Sequence, residues 1–208
     1  MGMKTLFLIL FVLSLSSTLQ ASQMAGAVSA GMGGTGRAAV VSNESLYLNP
    51  ATIALMDGFY TGASYQTGFL AKDISRNTYS ITMSDATSGI MFPGSFGYRK
   101  HSINNSGERL DENEFKVGLG YRLTERLSVG IGGTHLRAEN QIGQKFNQTN
   151  MDIGLLVGLQ PNWGLSFTGE NIIKDNETRP LALDRLSRAA LGTQYIYQKI
   201  ATLRYETL

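Results

Sequence analysis

Cysteine is absent from all 208 residues, which excludes disulfides, thiolate metal sites and an N-terminal lipidated cysteine. Charge is scarce. Only 16% of residues are Asp, Glu, Lys or Arg, against the roughly 25% common in soluble globular proteins. The formal excess of positive charge is +2, too small to argue for a nucleic-acid partner. Histidine occurs twice, tryptophan once and proline four times. No apolar run beyond the N-terminus approaches the about eighteen residues of a membrane-spanning helix. What the chain has instead is glycine, 24 of them, with a mean hydropathy close to zero. That is the composition of neither a helical membrane protein nor a strongly polar one.

The N-terminus carries Lys4, the apolar run "LFLILFVLSL" (Leu6 to Leu15) and then "SSTLQA", a cleavage site after Ala21. This predicts a secretory signal peptide over 1–21, since about ten apolar residues are too few to cross a bilayer as a helix. An exported chain without later apolar helices can remain in a membrane only as strands.

From about residue 58 the apolar residues recur with period two, which sorts them onto one face of an extended chain. In "NEFKVGLGYRL" Phe115, Val117, Leu119, Tyr121 and Leu123 face one way, while Lys116, Gly118, Gly120 and Arg122 face the other. Leu127, Val129 and Ile131 oppose Ser128, Gly130 and Gly132 in the same manner. Such runs fall at about 58–67, 77–85, 88–99, 113–123, 126–138, 149–159, 163–173, 186–197 and 200–208. Most approach the nine to eleven residues of a tilted membrane strand, longer than the five or six usual elsewhere.

Connections alternate. "GFLAKDISR", "HSINNSGERLDE", "NQIGQKFNQT" and "IKDNETRPLALD" are long and polar; "ATS", "TE", "QPN" and "QK" are short. Long loops on one side and tight turns on the other predict a transmembrane antiparallel β-barrel, its aromatics (Tyr121, Trp163, Tyr195, Tyr197) near the strand ends. Because lipid satisfies no backbone group, such a sheet has to close. A secreted β-sandwich shares the alternation but not the strand lengths or loop pattern.

Ahead of the strands lies "GMGGTG", Gly31 to Gly36, which satisfies the G-x-G-x-x-G pattern of dinucleotide sites, with Asp57 about twenty residues on. A pyrophosphate site needs a strand before the glycines and a long helix after them. Here a leader precedes them and Pro50 cuts any helix short. The glycines instead suit close packing of an irregular segment in a confined lumen, and no cofactor is expected. In "NPATIALM", Asn49 is a good N-cap, Pro50 sits at the first helical position and Ala51 to Met56 make a short apolar helix.

The stretch from Gly31 through Asn49-Pro50-Ala51 to the strand at Phe59 resembles the opening of the FadL-type outer-membrane transporters of long-chain fatty acids and other hydrophobic compounds. The matching residues are Gly31, Gly33, Gly34, Gly36, Asn49, Pro50 and Ala51. The resemblance implies a plug over 22–56 inside a barrel of strands over 57–208. It also implies passive uptake of hydrophobic small molecules, and residence in the outer membrane of a Gram-negative bacterium. Related barrels that work in protein secretion share this opening, so a non-transporting scaffold with secretion-system partners is the alternative. The family's lateral opening is described in the third strand, where Pro93-Gly94 interrupts the pattern here; the other reading is that the strand starts only at Gly94 or Ser95.

Nine strands is an odd number, whereas bacterial single-chain barrels have even counts. A chain lacking its last strands is the simpler expectation, and an eight- or ten-stranded barrel the other. No catalytic constellation emerges. His101 and His135 read as solvated residues near strand ends or loops, and Ser128 lies far along its strand from His135. Asp111, Glu112, Asp175 and Glu177 read as solvated loop charges without metal-ligand spacing. Weak divalent-ion or lipopolysaccharide contacts are their other reading. The expected partners are outer-membrane lipid and a hydrophobic ligand.

Overall fold

A computed structural model describes residues 29, 35–39, 44–71, 74–105, 108–173, 187–198 and 201–207. The leader, the run from Gly31 to Gly34, and Asp175 and Glu177 lie outside them. The protein is all-β, a single antiparallel sheet of nine strands in sequence order. These are β1 (Gly58–Ala71), β2 (Ile74–Ala86), β3 (Gly94–Asn105), β4 (Glu108–Thr124), β5 (Leu127–Asn140), β6 (Lys145–Gln160), β7 (Trp163–Glu170), β8 (Arg188–Tyr197) and β9 (Ala201–Thr207). Each pairs with the next, and among the described residues β1 and β9 remain the two edges. Ahead of the sheet stand a single-turn helix, α1 (Ser45–Leu48), and a 3-10 helix over Pro50–Leu55. No helix among the described residues is long and apolar enough to cross a membrane.

The alternation in sequence becomes an inverted distribution in space. Phe59, Tyr65, Tyr79, Ile81, Phe115, Val117, Leu119, Ile131, Leu191 and Leu203 are all exposed. Their neighbours on the opposite face, Thr78, Arg99, His101, Glu114, Lys116, Asn150 and Asp152, are buried. The helices lie against this polar inner face. Leu46, Leu48 and Ile53 are essentially fully buried there, each removal from water contributing about 2 kcal/mol.

Several boundaries differ from the sequence reading. β3 starts at Gly94 rather than 88, so Pro93 precedes the strand instead of interrupting it. Residues 87–93 form a turn closed by Ile90 N–H on Thr87 O at 3.1 Å. Asp85 caps Thr87, and Gly89 sits at φ 97°. Pro93 lacks an N–H, but its carbonyl still accepts from Gly120 N at 2.8 Å, so pairing with β4 begins one residue early. β7 ends at Glu170, where Asn171 turns to φ 53°.

On the opposite side the expected long loops are largely strand. β1 and β2 are separated by only 72–73, and β3 and β4 by 106–107. Polar residues carry these ladders outward through side-chain pairs. Tyr65 donates to Asn77 at 3.3 Å, Ser102 to Asp111 at 2.7 Å and Arg109 to Asp111 at 3.1 Å.

This lengthening corrects three side-chain assignments. His101 is not solvated; it is 2% exposed on the inner face of β3. Glu112 is likewise buried on β4, and Asp111 is half-buried in the same strand. Each was placed in a loop because hydrophilic residues were equated with loop, whereas here they line the concealed face of a strand or bridge to its neighbour.

Candidate functional site

The inner segment is seated by glycine. In the register of the sheet, Gly120 on β4 stands opposite Gly130 on β5, and Gly130 opposite Gly154 on β6. Thr168 and Ala190 continue the row across β7 and β8. Pro50, Ala51 and Ala54 press their backbones onto this row: a methyl group at Gly130 would fall on the Pro50 carbonyl, one at Gly120 on the Ala54 amide, and one at Gly154 on the Asn49 side chain. Only a side chain of one hydrogen permits such an approach. The sequence had shown Gly118, Gly120, Gly130 and Gly132 on the non-apolar face; aligning those strands through the two-residue turn at Glu125-Arg126 would have exposed the row.

Asn49 organises the segment. Its Oδ1 accepts from Ala51 N at 3.0 Å, satisfying a free donor at the 3-10 start. Its Nδ2 donates to Arg37 O at 3.0 Å and to Leu155 O of β6 at 3.3 Å. Pro50 supplies the fixed φ at the first helical position and forfeits an N–H that would have had no partner. Ala51 is wholly buried, clustered with Leu156 and Ala38. Arg122 closes the other end by donating to Ala54 O at 3.1 Å.

A second attachment lies at residues 36–37. Arg37 donates to Glu170 of β7 at 2.6 Å and to Glu206 of β9 at 2.8 Å. Glu206 also accepts from the Gly36 and Arg37 backbone N–H groups. Burial works against the Arg37 charge, but Glu170 and Glu206 outweigh it and hold the guanidinium above its already high range. The inner segment thereby touches strands from β2 round to β9.

Beyond the seat the inner face carries a belt of charge. Lys116 pairs with Asp152. His101 Nδ1 lies 2.8 Å from Thr78 Oγ1 and its Nε2 3.8 Å from Glu114. The Arg99 guanidinium stacks 3.1 Å from the centre of the Tyr47 ring, an arrangement in which the ring face attracts the cation. Lys116 and Asp152 thus neutralise each other from strands two apart, while His101 and Glu114 face each other on adjacent strands.

Between the inner segment and the turn at 87–93 lies a cavity of about 460 Å³. Its walls are mixed: Met56, Ala86, Ile90, Met91 and Pro93 are joined by Asp57, Thr87, Ser88 and Arg122. Sequence reasoning singled out Pro93 but not the methionines, because only the fold of the turn brings Met91 toward Met56. Gly94 begins β3 beside it.

Of the sequence-derived residues, the structure brings Asn49, Pro50 and Ala51 together on the seat and puts Gly36 at the second attachment, while Pro93 and Gly94 stand apart at the cavity. No chemistry converges on the histidines: Ser128 is buried on the inner face, whereas His135 is exposed on the outer one, bonded to Thr149 at 3.1 Å. Among the described residues no three His, Asp or Glu side chains are grouped to hold a metal.

No protein-family model matches the sequence. No curated protein matches it either. Among solved structures the chain is similar to the CymD monoaromatic hydrocarbon channel, at 14% identity and a TM-score of 0.43, over 88% of this chain and 84% of that one.

Proposed function

We propose that the sheet is the wall of an outer-membrane β-barrel, that residues 35–56 belong to its plug, and that the protein passes hydrophobic small molecules, such as long-chain fatty acids, toward the periplasm. The observation that carries the membrane part is the inverted face: buried charge inside and contiguous exposed aromatic and aliphatic side chains outside. In water such a surface is an aggregation liability; against acyl chains it is at equilibrium. Within the mixed walls of the cavity beside the plug, Met56, Ile90 and Met91 offer adaptable apolar contacts that support the ligand class. Transfer is by binding and diffusion, with the lateral exit assigned to the turn that leads into Pro93 and Gly94 beside that cavity, since Gly94 itself is paired with Asp85 and Leu119.

The charge belt favours a second reading, a scaffold that transports nothing and engages a secretion system, since Arg99, Glu114 and Lys116 close the inner face to greasy solutes. Uptake of a fluorescent long-chain fatty acid into vesicles holding the full chain separates the two. Met56→Asp with Met91→Asp lowers uptake severalfold if the cavity is on the route. Uptake no faster than in empty vesicles, together with co-purifying secretion components, overturns the transport reading.

A further inference from the structure

The outer face ends in a defined boundary. Tyr65 and Tyr79 stack at 4.8 Å and Tyr98 and Phe115 at 4.9 Å. Beyond Tyr98 and Phe115 the outward positions of β3 to β6 become polar, in a row that Tyr79 and Tyr65 continue on β2 and β1. Tyr98, Phe115, His135 and Thr149 form one lateral row of the sheet; the next outward row is Lys100, Asn113, Arg137 and Asn147. That second row contains no acid. Its two cations lie two strands apart, roughly 10 Å, with an amide between them. Tyr98 donates to Asn113 Oδ1 at 2.7 Å, which fixes the amide with its NH₂ as the remaining donor. Arg137 and Asn147 are exposed, while Lys100 and Asn113 are half-buried.

Two acids, Asp111 and Glu139, stand opposite each other one row further out. Asp111 is bonded by Ser102 and Arg109 and lies within electrostatic reach of Lys100. Glu139 stands opposite Lys145.

We infer that Lys100, Asn113, Arg137 and Asn147 form a docking site for the phosphate groups of lipids in the surrounding leaflet, on the side of the 72–73 and 106–107 hairpins. The inference rests on the membrane reading above. Amphipathic aromatics sit at the headgroup level, so the donor row directly past Tyr98 and Phe115 lies where lipid phosphates lie. Arg137 offers a planar fork and Lys100 a point charge, suited to a headgroup with two phosphates. A soluble anion would gain nothing from the aromatic boundary beneath.

The full chain, purified in non-ionic detergent, is titrated with lipid A bearing two phosphates and with its dephosphorylated form, and bound lipid is read by native mass spectrometry. The diphosphorylated form is retained preferentially, and Lys100→Gln with Arg137→Gln weakens retention roughly tenfold to thirtyfold. Arg109→Gln with Lys145→Gln, cations further out that each have an acid beside them, leaves it nearly unchanged. Both pairs are on the outer face, and the heat-modifiable folded band on unboiled gels is expected to persist. Equal retention of the two lipid forms, indifference to the first double substitution, or displacement by inorganic phosphate overturns the site. A chain that floats with vesicles yet shows any of these has lost only this inference. One that stays dissolved in detergent-free buffer has lost the membrane reading with it.

Discussion

At Gly130 one methyl group decides whether Pro50 can sit where it does. The colliding atoms are backbone on both sides, the least able to move aside, so Gly130→Val displaces the segment rather than a side chain. The expected cost is about 3 kcal/mol, the upper part of the range for overpacking, read as a lower urea midpoint in detergent. Asn49→Ala acts at the same seat by a different route. It removes the cap on Ala51 and the bond to Leu155 O, costing about 1–2 kcal/mol in the same assay. Should Asn49→Asp, which keeps the cap but loses the donor, match wild type, the bond to the wall is of no consequence.

Among elements, the Arg37 attachment is the one that ties the inner segment to β7 and the edge strand β9. Glu206→Gln retains an acceptor for the backbone N–H groups but removes half the compensation of a buried guanidinium. Breaking one partner of such a pair costs about 3–5 kcal/mol. Limited proteolysis is expected to cut ahead of α1 faster in this variant, while Glu125→Gln, at the exposed β4–β5 turn, changes nothing.

None of this was legible locally, because Arg37 and Glu206 are 169 residues apart and neither has a sequence signature. Strand number and facing were legible, since period two is a local property. Where the strands stop was not. "HSINNSGERLDE" reads as loop by composition, yet Ser102, Arg109 and Asp111 bridge to one another across a ladder, and His101 and Glu112 turn inward. Hydrophilic residues on two paired strands satisfy each other as well as water does, and composition does not distinguish the cases.

On the membrane reading proposed above, the whole molecule is organised by its solvent. Leu119 stands mid-strand on the outer face, and Leu119→Lys is expected to cost about 2–4 kcal/mol in vesicle folding. The same change at exposed Asn147, past the aromatic boundary, is expected to cost less than about 1 kcal/mol. Equal costs at the two positions would remove the depth dependence that lipid imposes.

The glycine row has one more consequence. A strand that slides by one residue turns its greasy side inward and is rejected at once. A slide of two residues keeps every side chain on its proper side, so the surrounding lipid is blind to the error. Gly120, Gly130 and Gly154 are aligned only in the native pairing; two residues out of step, bulkier neighbours such as Ser128 or Leu156 would occupy the space that Pro50 and Ala51 need. The segment inside thus proofreads the alignment of the wall around it, an arbiter of the one mistake that hydrophobicity forgives.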